Sequence, residues 1–362
     1  MIRYARALMC AGPFALLLTL FVAGARAGEG WYPIEVDVWD PPFNTERKRH
    51  TETYMALDKA AGAWRICVSI PHLKDDYWLA VNFGIYDEAK RLGVVVNLYE
   101  AGGYDHLETQ RRQIVECMAR GADGLIVSAI SADGLNDLVA RYAEQGRPVI
   151  DLINGLSSPR ITARVAVDFW DMGNHAARYL RNMLADSGNP VRVAWFPGPE
   201  GAAWVAAGDQ GFQEGIEGSA IEIIASAHGD TGRATQGRLV GAVLDAHPDL
   251  DLIVGTAVTA EAAVTQLSRR GLSDRVRLLA YYYSPGVHRG IRRGWIVAAP
   301  TDQPAIQARI ALNQIVRALE KRPFLRHVAS KVRVVDHTNM TDFDSSGTLP
   351  PSGFRPIFSV NE

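Results

Sequence analysis

Short apolar runs separated by amphipathic stretches dominate the chain from Trp64 onward. The runs at 65–70, 94–99, 123–128 and 147–152 are rich enough in Val, Ile and Leu to form strands covered on both faces. Patterns of helical period at 77–92, 107–120 and 133–145 separate them. Strand and helix alternating in this way call for a parallel sheet with right-handed crossovers. A second series starts at Arg164-Val-Ala-Val-Asp168 and continues through strands near 191–196, 221–226, 251–255 and 276–281, with helical patterns at 171–186, 203–217, 232–246, 259–270 and 286–293. Gly and Pro punctuate the joins, as in Gly146-Arg-Pro148 and Phe196-Pro-Gly-Pro199. A strand-like run at 295–299 precedes a helical pattern at 304–320, which is expected to return to the first unit and so create a hinge around a cleft. The expected class is therefore α/β, two lobes in series, each an open, mostly parallel sheet flanked by helices.

The chain ends change that picture only locally. Residues 1–27 read as a secretory signal peptide, with basic Arg3 and Arg6, an apolar run from Ala11 to Ala23, and the small-residue cleavage site Ala25-Arg-Ala27. The apolar run is shorter than the ~20 residues of a spanning helix, so no membrane insertion is expected after cleavage. Residues 28–62 show no sustained period and are expected to form an irregular arm. The expected lobes are 63–161 with 302–328, and 162–301 with 329–362. A net charge of −2 gives no bulk reason for binding nucleic acid or anionic lipid. Beyond the leader only Cys67 and Cys117 remain, an even number in an exported chain. A 2-1-3-4-5 strand order would carry the crossover bearing Cys117 over the strand bearing Cys67, which favours a disulfide over two buried thiols.

The usual signatures of chemistry are missing. The sequence holds no Gly-x-Gly-x-x-Gly, no phosphate loop, no Gly-x-Ser-x-Gly elbow and no His-Glu-x-x-His pair, and its histidines lack ligand spacing. No metal or cofactor is expected. Paired acids at Asp75-Asp76 admit glycoside hydrolysis as one alternative, although Asp beside a helix start commonly caps it.

What the strand ends do carry is rings. In open α/β sheets ligands bind at the carboxyl ends of the strands. There the sequence places Asp75, Asp76, Tyr77 and Trp78 after the first strand, Tyr104 after the second, Phe169-Trp170 at the start of the second series, and Tyr281-Tyr-Tyr283 near its last strand. Each ring alone is as readily explained by core packing. Together they suit a small methylated cation, whose partly positive methyl groups favour ring faces, with a carboxylate such as Asp75 to balance the charge. A sugar site would also stack on rings, and Asn154, Asp168, Asp302 and Gln303 are the polar residues that support it.

Several segments carry a resemblance as well: Ala63-Trp-Arg-Ile-Cys67, Leu73-Lys-Asp-Asp-Tyr-Trp78, Glu100-Ala-Gly-Gly-Tyr104, Gln113-Ile-Val-Glu-Cys117, Gly255-Thr-Ala, Ala260-Glu-Ala-Ala263 and Ser352-Gly-Phe-Arg-Pro356. In this order the chain resembles the TorT family of periplasmic trimethylamine N-oxide sensors. The resemblance implies a type I periplasmic-binding-protein fold in the periplasm, recognition of trimethylamine N-oxide between two lobes, association with the periplasmic domain of the TorS sensor histidine kinase, and no catalysis. It implies a ligand box of Asp75, Tyr77, Trp78, Tyr104, Trp170 and Tyr282. Phe169 is an alternative to Trp170, because the family pattern has Trp-Phe where this chain has Phe-Trp. Asp76 replaces a small polar residue of the pattern and, with Asp302, is a further possible site residue. The competing expectation is a sugar or other small-solute binding protein of an ABC transporter.

Overall fold

Strands that are apolar along their whole length need cover on both faces of their sheet, and helices supply it here. The computed structural model describes Met1, residues 31–185 and residues 189–361, and the account below concerns residues 31–361. The expected signal peptide lies outside the described residues apart from Met1.

β1 (Ile34–Trp39) and β2 (Arg49–Tyr54) pair as an antiparallel hairpin, with Ile34 opposite Tyr54 and Trp39 opposite Arg49. This corrects the expectation of an irregular arm over 28–62. Val36 and Val38 are buried, an alternation too short to stand out, while β2 is an almost wholly polar edge strand that no hydrophobic period announces.

β3 (Arg65–Ile70), α1 (Asp76–Leu92), β4 (Val95–Glu100), α2 (Leu107–Ala119), β5 (Gly124–Val127), α3 (Asn136–Glu144), β6 (Val149–Leu152) and β7 (Ala163–Val165) build the first lobe. Their strands lie in the order β4-β3-β5-β6-β7, all parallel, which is the expected 2-1-3-4-5. β7 pairs with β6 and so closes the first series instead of opening the second. A three-residue strand carries too little pattern to reveal its sheet. A disulfide joins Cys67 on β3 to Cys117 on α2, with a Cα separation of 5.9 Å. It pins α2 over an apolar layer that includes Ile114, Leu125 and Leu138.

The second lobe consists of α4 (Phe169–Met183), β8 (Val191–Phe196), α5 (Ala203–Ile216), β9 (Ile221–Ser226), α6 (Arg233–Ala246), β10 (Leu252–Gly255), α7 (Ala257–Arg270), β11 (Arg277–Ala280) and α8 (Pro285–Arg292). Its parallel sheet runs β11-β10-β8-β9. α4 and α5 lie backbone to backbone, because a Cβ on Gly173 would collide with the Gly208 carbonyl and one on Gly211 with that of Trp170. That close approach brings the first turns of α4 and α5 together at the cleft.

The chain then crosses back. β12 (Ala298–Thr301) leads to α9 (Pro304–Leu319), which packs on α1 of the first lobe as its pattern suggested. β13 (His327–Ser330) joins β7 in parallel and β1 antiparallel, so the first sheet extends through β13, β1 and β2. β14 (Arg333–Asp336) pairs with β12, and β15 (Ser359–Val360) returns to the far edge of the first sheet against β4. The expectation that residues 329–362 end wholly in the second lobe is therefore corrected. The Asn82 amide on α1 fixes the returning tail by donating to the Ile357 carbonyl over 2.7 Å and accepting from its N–H over 2.8 Å.

Candidate functional site

α1 starts where Asp75 accepts a hydrogen bond from the Trp78 N–H at 3.1 Å, and it ends at Gly93 in the left-handed region with φ 77°. The cap holds the first turn at the carboxyl end of β3, facing the second lobe. A cavity opens there, lined by Asp75, Tyr77, Trp78, Tyr104, Ile153, Asn154, Phe169, Trp204, Thr231 and Tyr282. Every one of these residues leaves the carboxyl end of a strand or opens the following helix. The rings meet mostly edge to face or tilted, with Tyr77 and Tyr282 at 5.2 Å, Phe169 and Trp204 at 5.6 Å, and Tyr104 and Trp204 at 6.2 Å between centroids. They form a box with faces presented from both lobes.

Hydrogen bonds behind the rings fix their orientation. The Tyr77 hydroxyl donates to Asp302 Oδ2 at 2.6 Å, and Gln307 donates to the same oxygen at 2.6 Å. Asn154 donates to the Tyr104 hydroxyl at 3.1 Å and to the Ala129 carbonyl at 2.8 Å. The lobes also touch directly at the rim. His72 Nε2 lies 2.9 Å from the Thr231 hydroxyl, Lys74 donates to Asp230 at 2.8 Å, and the Tyr104 N–H donates to Asp230 at 3.3 Å. These contacts hold the cleft closed around the box.

Burial sets the charge state of the site. It pushes the Asp75 carboxyl up to about 7, against the hydrogen bonds from the Trp78 N–H and the Thr231 hydroxyl that favour the anion. Asp302 rises to about 6 for the same reason, with the Tyr77 hydroxyl and Gln307 opposing. His72 falls to about 4, since burial and the Lys74 ammonium outweigh the attraction of Asp230, and is therefore neutral at physiological pH. Tyr77, Tyr104 and Tyr282 are raised by burial above the ordinary phenol value and remain hydroxyl donors. Trp204 Nε1 is buried and has no hydrogen-bond partner. It lies near enough to the Tyr104 hydroxyl to influence its acidity without reaching hydrogen-bond geometry. The box thus offers ring faces, one carboxyl poised near neutrality and an uncommitted N–H.

Five of the six residues expected in the box, Asp75, Tyr77, Trp78, Tyr104 and Tyr282, lie in it together. Trp170 does not, which is a correction. Successive helix positions point about 100° apart, so Phe169 turns inward and Trp170 outward, where its Nε1 donates to Glu214 at 2.8 Å and the Arg47 guanidinium lies 4.3 Å from its ring. Asp76 faces a surface groove, and Asp302 stands behind Tyr77 instead of on the cavity wall. The strand-end pattern does not mark Ile153, Trp204 or Thr231, and it marks Asn154 only for a sugar site. The signal for Trp204 was the Phe196-Pro-Gly-Pro-Glu-Gly201 turn after β8, which delivers a ring to the start of the next helix as the turn after β3 delivers Trp78. Among the described residues no group of three or more His, Cys, Asp or Glu could hold a metal ion, and no helix is long and apolar enough to cross a membrane.

Residues 66–323 match the model of a periplasmic binding protein domain. The periplasmic protein TorT of Escherichia coli K12 is 35% identical over 300 residues, which cover 83% of this chain and 86% of that one. Among solved structures, an ABC transporter solute-binding protein from Bradyrhizobium sp. BTAi1 with bound bis-tris superposes with a TM-score of 0.80 at 47% identity, covering 92% of this chain and all of that one. The complex of the TorS sensor domain with TorT in the presence of trimethylamine N-oxide superposes with a TM-score of 0.74 at 30% identity, covering 82% of this chain and 99% of the matched chain.

Proposed function

The chain belongs to the TorT family of periplasmic binding proteins, and from that premise we propose that it recognises trimethylamine N-oxide in the ring-lined box and reports it to the periplasmic sensor domain of the histidine kinase TorS. The observation that carries this reading is the uncommitted Trp204 N–H buried within a set of rings. A methylated nitrogen favours the ring faces, each contact contributing roughly 0.5–2 kcal/mol. The oxide oxygen needs a donor, and a buried donor without a partner gains most by meeting it. Asp75 complements the positive nitrogen, and Thr231, Phe169, Trp204 and Tyr282 supply the second-lobe half of the contact. Asp75, Tyr77, Trp78, Tyr104 and Tyr282 keep the roles the sequence suggested, Phe169 takes the place of Trp170, and Asp302 orients Tyr77.

The protein binds and releases its ligand unchanged in this reading. The lobe built on β3–β7 and α9 and the lobe built on α4–α8 close on the ligand, and the kinase responds to the closed form because it has unequal affinity for the open and closed states. Calorimetric titration with trimethylamine N-oxide, trimethylamine, betaine and ribose tests the ligand. Trimethylamine N-oxide is expected to bind most tightly, and a preference for ribose or equal affinity for the free amine defeats the assignment.

A second reading, uptake of a small solute through an ABC transporter, draws support from the 47% identity with a transporter's solute-binding protein. Co-purification separates the two. Capture by a transporter permease, with no complex formed with the kinase domain, decides for uptake.

A further inference from the structure

Two of the elements that form the box have a second, outward side. α1 sends Tyr77 and Trp78 into the cavity and Asp76 and Leu79 away from it, while the chain after β11 sends Tyr282 inward and α8 carries His288, Arg289 and Arg292 outward. These outward sides, together with the tail around Leu349 and Phe354, bound one surface groove of about 520 Å³. Each lobe supplies one wall.

The wall from α8 is basic and unneutralised. Arg192, Arg233 and Arg270 of the same lobe all have carboxylate partners, whereas among the described residues Arg289, Arg292 and Arg293 form no ion pair. Arg293 instead lies over the ring of Trp295 at 4.8 Å, and Trp295 is 48% exposed. The His288 ring, bonded to the Tyr283 hydroxyl at 2.8 Å, is held below the ordinary imidazole value by burial and then by Arg292 and Arg289, which marks the local field as positive. Asp76 is the one acid on the lining.

We propose that this groove seats an acidic, partly apolar helix of the kinase's periplasmic sensor domain, an assignment that rests on the signalling reading above. Arginine forks match carboxylates, and a groove between helices with Leu79, Leu349 and Phe354 on its walls accepts the apolar side of such a helix. Because one wall moves with each lobe, the groove changes shape as the box closes. A partner seated there prefers one state of the cleft and so couples to the ligand.

The test is Arg289→Glu with Arg292→Glu in the full secreted chain, measured for binding to the TorS sensor domain at low and high salt. The unaltered protein is expected to bind the kinase domain less tightly as salt rises, and the double variant to bind at least about tenfold more weakly at low salt. Its affinity for trimethylamine N-oxide and its melting temperature should match those of the unaltered protein. Arg269→Glu on α7 is the control and should leave both affinities unchanged. If the double variant loses stability, the Ala pair replaces it with the same expectation. Undiminished kinase binding by a folded double variant overturns the groove while leaving the signalling reading intact. Failure of the unaltered protein to bind either trimethylamine N-oxide or the kinase domain brings down both. A variant that loses adhesion to anionic vesicles yet keeps the kinase assigns the basic face to lipid and also overturns the proposal.

Discussion

The starts of α1 and α4 are written in nearly the same residues and end in different environments. Asp75 caps α1, with Tyr77 and Trp78 two and three positions later, while Asp168 caps α4, with Phe169 and Trp170 one and two positions later. The shift of one position sends both rings of α1 into the box but only the first ring of α4. The caps differ too. Asp168 meets the Arg47 guanidinium at 2.8 Å, whereas Asp75 is buried with hydrogen-bond donors and no cation, and its carboxyl is pushed up to about 7. One start is built around a solvent-facing ion pair and the other around an unmet negative charge. A cationic ligand gains from the second arrangement and not from the first.

The sharpest way to break this contrast is to remove one ring from each start. Trp78→Ala should weaken trimethylamine N-oxide binding by roughly a hundredfold in calorimetry, about 3 kcal/mol, and Trp78→Phe by much less. Trp170→Ala should change the affinity by less than about twofold, since its ring contacts Arg47 and Glu214 outside the cavity. Equal losses at the two sites would dissolve the distinction.

The caps sharpen it through pH. A carboxyl raised in the folded state contributes stability that is fully present below its unfolded value of 3.8 and is lost as pH rises through about 7. Asp75→Asn keeps the helix cap and removes the buried charge, so above pH 7 the ligand-free variant should be more stable than the parent by about 2 kcal/mol, read as a higher melting temperature. The advantage should shrink toward pH 5. The same substitution should weaken binding of a ligand that carries a positive nitrogen, an effect largest above pH 7. An Asp75→Asn melting temperature that tracks the parent at every pH would remove the premise of an unmet charge.

Trp204→Phe has a smaller and more selective expected effect. It keeps a ring and deletes the N–H, so trimethylamine N-oxide should lose about tenfold while tetramethylammonium, which has no oxygen to satisfy, stays within about twofold. Equal loss for both ligands would assign Trp204 to packing alone.

These contrasts also show how far the sequence could be read. Tyr77, Trp78 and Tyr104 were legible because rings at the ends of strands must gather on one side of a parallel sheet, and Asp75 because it stands at the same strand end, whereas only the family resemblance picked Tyr282 out of Tyr281-Tyr-Tyr283. The parallel pairing of β3, β4, β5 and β6 followed from the alternation of strands and helices, whereas the place of β7 beside β6 did not, because three residues carry no period. Trp170 misled because one residue of helical phase decides which neighbour faces the cavity, and the strand preceding α4 fixes that phase only in three dimensions. Trp204 and Thr231 depend on the close approach of α4 to α5 and on the fold of the turn before α6, both tertiary effects. β15 is held by β4, more than 250 residues earlier in the chain, and β2 by its neighbour β1 as a polar edge strand, and neither carries an apolar pattern of its own.

The rim contacts of the cleft bear on how much signal is needed. The His72–Thr231, Lys74–Asp230 and Tyr104–Asp230 bonds belong to the protein itself, so closure has an intrinsic free energy and the ligand supplies only the remainder. The apparent dissociation constant is the intrinsic constant divided by the fraction of molecules already competent to bind. Substitutions at Lys74 or Asp230 would thus move the midpoint of the dose–response curve without touching the chemistry that chooses the ligand, and threshold and selectivity become separately adjustable properties of one receptor.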